Sequence, residues 1–144
     1  MAPKRRCVLG TVQSDSHTWN LVYIGLVLEE QGFEVFNLGC CTTPLEISSA
    51  VLRTQAELVV ISTINGHGGA QGLELIGQLR SDLGSRIPPC VIGGRLTTRE
   101  EEDGAAARAL EGAGFAMAFA GEGAVEALRA YVGRPGAERL AAFA

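Results

Sequence analysis

Short apolar runs alternate with segments of helical periodicity along the chain, and this alternation restricts the fold more than any other feature of the sequence. Residues 7–12, 34–38, 58–62, 90–92 and 115–119 read as strands. Residues 19–31, 44–54, 72–83, 99–112 and 124–131 read as helices between and after them. Local signals support the boundaries. Gly32 stops the first helix, while Thr43 is the expected N-cap of the second, with Pro44 at its first helical position.

Strands separated by helices must run parallel, because each crossover returns the chain to the same edge of the sheet. The strand runs are almost continuously apolar, as expected for a sheet covered on both faces. The expected architecture is therefore α/β, a flavodoxin-like (Rossmann-like) doubly wound five-stranded parallel sheet in the order 2-1-3-4-5. That order reverses between strands one and three, and a crevice opens at their carboxyl ends. The loops there, residues 13–19 and 63–72, contain both histidines of the chain, His17 and His67, and its densest glycines.

With 144 residues, a single domain spanning 1–144 is expected, with the tail 133–144 frayed. A composition that is 47% hydrophobic, without a run of eighteen apolar residues, argues against a membrane span. The net charge of −4 argues against a general nucleic-acid surface. Lys4-Arg5-Arg6 is not followed by an apolar secretory segment, so a cytoplasmic protein is expected. The four cysteines form no C-x-x-C pair. Cys7 and Cys90 fall in strands and read as inert buried thiols; the adjacent Cys40-Cys41 reads as structural, with a redox pair as the alternative.

His17 follows Asp15 by two residues. A carboxylate beside an imidazole fixes its tautomer and leaves the other ring nitrogen free for a metal or a proton. His67 reads as an exposed loop residue. Gly66, Gly68 and Gly69 suggest a phosphate cradle only weakly, since no Lys-Ser/Thr follows them. Trp19 reads as the start of a helix core, with packing against a ligand edge as the alternative. Glu100-Glu101-Glu102-Asp103 reads as an acidic first helical turn facing the helix dipole.

Three pieces converge: Asp15-x-His17 after strand one, Ser62-Thr63-Ile64 at the end of strand three, and Gly93-Gly94 directly after strand four. Together they resemble the D-x-H-x-x-G, S-x-L and G-G signature of cobalamin-binding domains along nearly the whole chain. The runs Ser14-Asp15-Ser16-His17, Gln31-Gly32-Phe33 and Asn37-Leu38-Gly39 are similar to the small, cobalamin-binding subunits of glutamate (methylaspartate) mutases. The resemblance implies a corrinoid bound base-off, with His17 as lower cobalt ligand and Asp15 holding the far imidazole nitrogen. It also implies that Ser62 lines a slot for the nucleotide tail and that Gly93 and Gly94 admit the tail to the backbone. Gly121 and Gly123 resemble the turn that closes that slot, or form an ordinary strand-to-helix turn. Ser14, Ser16, Thr18, Asn20, Ile64 and Gly66 complete the implied cofactor contacts.

Two positions depart from the pattern. Ile64 replaces leucine, a mild change of shape. Asn20 replaces the final glycine of D-x-H-x-x-G, where the corrin ring presses on the protein. Either the loop seats the side chain, or its amide bonds a corrin amide, or corrinoid binding is lost. The function implied is the cobalamin-carrying subunit of an adenosylcobalamin-dependent carbon-skeleton mutase, inactive without a large TIM-barrel subunit. The alternatives are a corrinoid carrier for methyl transfer and a flavodoxin-like regulatory module that has abandoned the cofactor. Methyl carriers place a helical bundle ahead of this fold, and here the first strand starts at residue 7.

Overall fold

The computed structural model describes residues 3–133, so all of the expected tail except Gly133 lies outside the described residues. Strands β1 (Arg5–Gly10), β2 (Phe33–Asn37), β3 (Leu58–Thr63), β4 (Cys90–Gly94) and β5 (Met117–Ala120) form one parallel sheet in the order β2-β1-β3-β4-β5. Helices α1 (Trp19–Glu30), α2 (Pro44–Thr54), α3 (Gly68–Leu83), α4 (Asp103–Ala113) and α5 (Ala124–Val132) connect and cover it. This is the doubly wound α/β, flavodoxin-like arrangement that the alternation demands.

Successive strand residues face opposite sides, and two apolar clusters result. Val8, Val59, Ile61 and Ile92 pack with α2, α3 and α4; Leu9, Val60, Val91 and Phe119 pack with α1 and α5. Cys7 and Cys90 are buried in these layers, and burial pushes both thiols up, Cys90 to about 12. Among the described residues no helix is long and apolar enough to cross a membrane.

Residue-level differences from the sequence reading have local causes. Strand β1 starts two residues early, at Arg5, whose guanidinium lies 4.2 Å from the centroid of the Phe33 ring and donates to the Gln31 carbonyl. It ends at Gly10 because the Thr11 N–H leaves the ladder for the Thr42 hydroxyl. Helix α2 keeps its expected bounds, with a reciprocal capping box between Thr43 and Glu46. Helix α3 begins at Gly68, not Gly72, so Gly68 and Gly69 are its first turn rather than a loop. Residues 100–102 form a 3₁₀ turn and α4 starts at Asp103, a buried carboxylate that accepts from the Thr97 N–H and hydroxyl.

Trp19 is not a core residue: it is 81% exposed. Helix α1 is apolar on two faces. Leu21, Ile24 and Leu28 face the sheet, while Trp19, Val22, Tyr23 and Leu26 form an outward stripe. Periodicity alone gives no means of choosing between two such stripes.

Gly93 and Gly94 belong to β4, pairing with Ser62 and Thr63 of β3, rather than following the strand. Gly94 has a φ of +119°, and a Cβ there would lie 2.1 Å from the Thr63 carbonyl oxygen. Gly94→Ala is therefore expected to destabilise the fold by at least about 2 kcal/mol, through a strained backbone and a forced shift of β3. Gly77→Ala, within exposed α3 with no neighbour inside 4 Å, is expected to stabilise by about 0.5–1 kcal/mol. Urea midpoints of the two variants check this contrast.

Candidate functional site

The crevice opens where β1 sends its chain to α1 on one face and β3 sends its chain to α3 on the other. Asp15 stands at its centre, fully buried, and four donors converge on its carboxylate. Oδ1 accepts from the His17 backbone N–H at 3.0 Å and from His17 Nδ1 at 2.7 Å. Oδ2 accepts from the Thr63 hydroxyl at 2.6 Å and from the Ile64 N–H at 2.8 Å. The backbone of Asp15 is held too: its N–H donates to the Val12 carbonyl, and its carbonyl accepts from Cys41 N–H at 2.7 Å.

Burial alone pushes the Asp15 carboxyl up, but the hydrogen bonds from Thr63, from the His17 and Ile64 backbone and from the His17 ring outweigh it. The net effect lowers its pKa to about 2. An ionised carboxylate only accepts, so Nδ1 of His17 carries a hydrogen, and in the neutral ring Nε2 keeps its lone pair. The His17 side chain is about half exposed, at 53%, so that lone pair is accessible from solvent. Among the described residues no group of three or more His, Cys, Asp and Glu is placed to hold a metal ion. A metal on His17 must therefore bring most of its ligands with it.

A second network surrounds this one. The Ser14 N–H and hydroxyl both donate to Gln71 Oε1, at 3.2 and 2.8 Å, and Asn65 Nδ2 donates to Ser14 Oγ at 2.9 Å. These bonds tie the β1 loop to α3 and to the β3 loop. Ser16 and Thr18 are exposed, and Thr18 precedes α1 without a side-chain capping bond. His67 is exposed, and its N–H donates to Asn65 Oδ1. Cys40 and Cys41 are exposed; partial desolvation and the neighbouring Cys40 push the Cys41 thiol up, which disfavours its thiolate.

Beside the network lies an apolar slot of about 190 Å³ between the sheet and helices α1 and α5. Val60, Val91 and Phe119 form its floor, Tyr23, Ile24 and Leu128 its walls. Asn20, Ser62, Ile64, Gly93, Gly94 and Gly121 also line it. Gly66 and Gly123 are not among its lining residues: Gly66 packs against Thr97 and Thr98, and Gly123 precedes α5. The structure thus gathers the Asp15–His17 loop, Ser62-Thr63-Ile64 and the Gly93-Gly94 strand end into one place.

Sequence reasoning passed over Thr63, Asn65 and Gln71. Thr63 lies in Ser62-Thr63-Ile64 as an unassigned position, yet its hydroxyl makes the shortest of the four bonds to Asp15. Asn20 Nδ2 donates to both the carbonyl and the hydroxyl oxygen of Ser62, each at 3.1 Å. The side chain of Asn20 is thus turned inward to Ser62.

The depressed Asp15 pKa links the site to stability. The folded value of about 2 lies below the ordinary 3.8, so the unfolded chain takes up the proton first as pH falls. The carboxylate's contribution is expected in full above pH 3.8 and to be lost as pH falls to about 2. The gap in melting temperature between the wild type and Asp15→Asn is then widest above pH 3.8 and narrows towards pH 2. At neutral pH, Asp15→Ala is expected to cost about 2–4 kcal/mol, because buried donors lose their acceptor.

The B12 binding domain family matches residues 5–129. A glutamate mutase sigma subunit of Fusobacterium nucleatum is 30% identical over 101 residues, 69% of this chain and 72% of that protein. The glutamate mutase sigma subunit of Halobacterium salinarum is 30% identical over 121 residues, 84% of this chain and 80% of that protein. In fold, the chain is similar to a cobalamin-binding protein from Desulfitobacterium hafniense (TM-score 0.66, 20% identity, 89% of this chain and 57% of that one). It is equally similar to the monomethylamine corrinoid protein of Methanosarcina barkeri (TM-score 0.66, 17% identity, 88% and 56%). The chain thus spans a little over half the length of either solved structure.

Proposed function

This chain belongs to the B12-binding domain family, and on that premise we propose that it is the cobalamin-binding subunit of a glutamate mutase-like, adenosylcobalamin-dependent carbon-skeleton mutase. Identity of about 30% to glutamate mutase sigma subunits over more than two thirds of the chain supports this reading. It makes the chain one subunit of an isomerase. When bound, adenosylcobalamin supplies carbon-radical chemistry; the substrate and its contacts belong to a separate, larger barrel subunit. The chain alone binds cofactor and turns over nothing.

One observation carries the assignment of residues: a half-exposed imidazole held by a buried carboxylate, with Nε2 free, beside an apolar slot. A corrin ring brings four nitrogens to its cobalt, which suits a site where, among the described residues, no cluster of protein ligands surrounds His17. His17 would hold the cobalt through Nε2, and Asp15 would set its tautomer and raise its basicity. A nucleotide base is apolar over most of its surface, as the slot is, and Ser62 would meet the polar edge of such a base there. Gly93, Gly94 and Gly121 line the slot and expose their backbone to it. Trp19, two residues after His17 in sequence and exposed, would offer its ring to the rim of a bound corrin. Ser14 braces the loop and Ile64 lines the slot, while Ser16, Thr18, Gly66 and Gly123 would be outer contacts.

The unpaired thiols of Cys7, Cys40, Cys41 and Cys90 fit a cytoplasmic setting. A corrinoid carrier for methyl transfer is the second reading. What favours it is the shared fold with the monomethylamine corrinoid protein, at 17% identity.

Substitution of the ligand tests the assignment directly. The Co(II) form bound to the wild type is expected to show nitrogen superhyperfine splitting in its spin-resonance spectrum. His17→Ala is expected to abolish that splitting while His67→Ala preserves it. Splitting retained in His17→Ala would transfer the ligand role to another residue. A wild type that retains no corrinoid would leave only the abandoned, regulatory reading.

A further inference from the structure

We infer that Asn20 is a positioning residue for the nucleotide-tail slot, acting through the hydroxyl of Ser62; the inference rests on the corrinoid-binding reading above. Strand β1 pairs with β3 only as far as Gly10↔Ile61, so the carbonyl of Ser62 lies beyond the last pair. Asn20, 42 residues away in sequence, supplies the missing donor: Nδ2 donates to that carbonyl and to Ser62 Oγ, each at 3.1 Å. The carbonyl settles the orientation of the amide, since only its NH₂ side has hydrogens to give.

This arrangement dictates what Ser62 does. A hydroxyl has one hydrogen and accepts on its lone pairs. With a lone pair of Oγ engaged by Asn20, the hydroxyl hydrogen is turned away from Asn20. Among the described residues no acceptor takes it. Ser62 is buried, with only 7% of its surface exposed, and it lines the slot with Asn20. The hydrogen is thus held ready for a ring-nitrogen acceptor that enters the slot. The motif glycine at position 20 would leave both the carbonyl and the hydroxyl of Ser62 without this partner.

Oδ1 of Asn20 is buried without a hydrogen-bond partner among the described residues. A buried, unsatisfied acceptor costs free energy, which the two bonds to Ser62 offset.

Two corrinoids separate this role from the alternatives. Hydroxocobalamin carries the nucleotide tail, and hydroxycobinamide has the same ring without it. Their Kd values are measured by visible absorption on the full chain for wild type, Asn20→Ala, Asn20→Gly, Ser62→Ala and Asn20→Ala/Ser62→Ala. The preference of the wild type for the tailed form is expected to fall about ten-fold in either Asn20 variant, the value of one oriented hydrogen bond. Ser62→Ala is expected to show a comparable fall, and the double variant no further one.

An unchanged or increased preference in Asn20→Ala would overturn the inference, because a strand cap or a contact with the ring face shifts both Kd values together. Falls that multiply in the double variant would overturn it too, by separating Asn20 from Ser62. A wild type that binds neither corrinoid would defeat the underlying corrinoid-binding reading, and is told apart by failing before any substitution is made.

Discussion

The buried carboxylate of Asp15 is the interaction on which the crevice depends. Its two oxygens join segments that the chain keeps far apart: the loop after β1, which carries His17, and the end of β3, which carries Thr63 and Ile64. An isolated buried charge would be prohibitive, yet here four donors satisfy it and hold its pKa near 2. The same bonds that make burial tolerable also orient the imidazole. Structural satisfaction of Asp15 and preparation of His17 are therefore one event.

Around that centre, the parallel sheet supplies rigidity. Strands β1, β3 and β4 are buried on both faces, so the positions of their carboxyl ends are set by packing on two sides. The slot beside α1 and α5 borrows its walls from the same apolar cluster that holds those helices to the sheet. Gly94 lies so close to the Thr63 carbonyl that its lack of a side chain is needed for strand packing itself, whatever enters the slot. A glycine pair assigned to a ligand on sequence grounds thus has an architectural reason as well.

Much of this was legible in the residues, and the gaps have definite physical origins. The bounds of α2 were readable because Thr43, Pro44 and Glu46 form a local code within one turn. The start of β1 was missed because Arg5 and Arg6 look unlike strand residues until Phe33 and the Gln31 carbonyl are beside Arg5. Trp19 was misplaced because α1 has two apolar stripes. The pairing of Asp15 with His17 spans two residues and could be anticipated; Thr63 and Ile64, 48 and 49 residues on, could not be named as its other donors. Asp103 looked like part of an acidic dipole turn, whereas it is a buried acceptor for Thr97.

What the amino-acid order determined alone is the alternation of strand and helix, the parallel doubly wound sheet that alternation requires, and the proximity of Asp15 to His17. These follow from periodicity, capping and short spacing, which act over a few residues and need no partner from elsewhere in the chain. The tertiary structure decided which stripe of α1 meets the sheet, which donors complete Asp15, and that the Asn20 amide turns inward to Ser62. Each of those depends on groups brought within about 3 Å by strand register, and register exists only after the whole sheet has assembled.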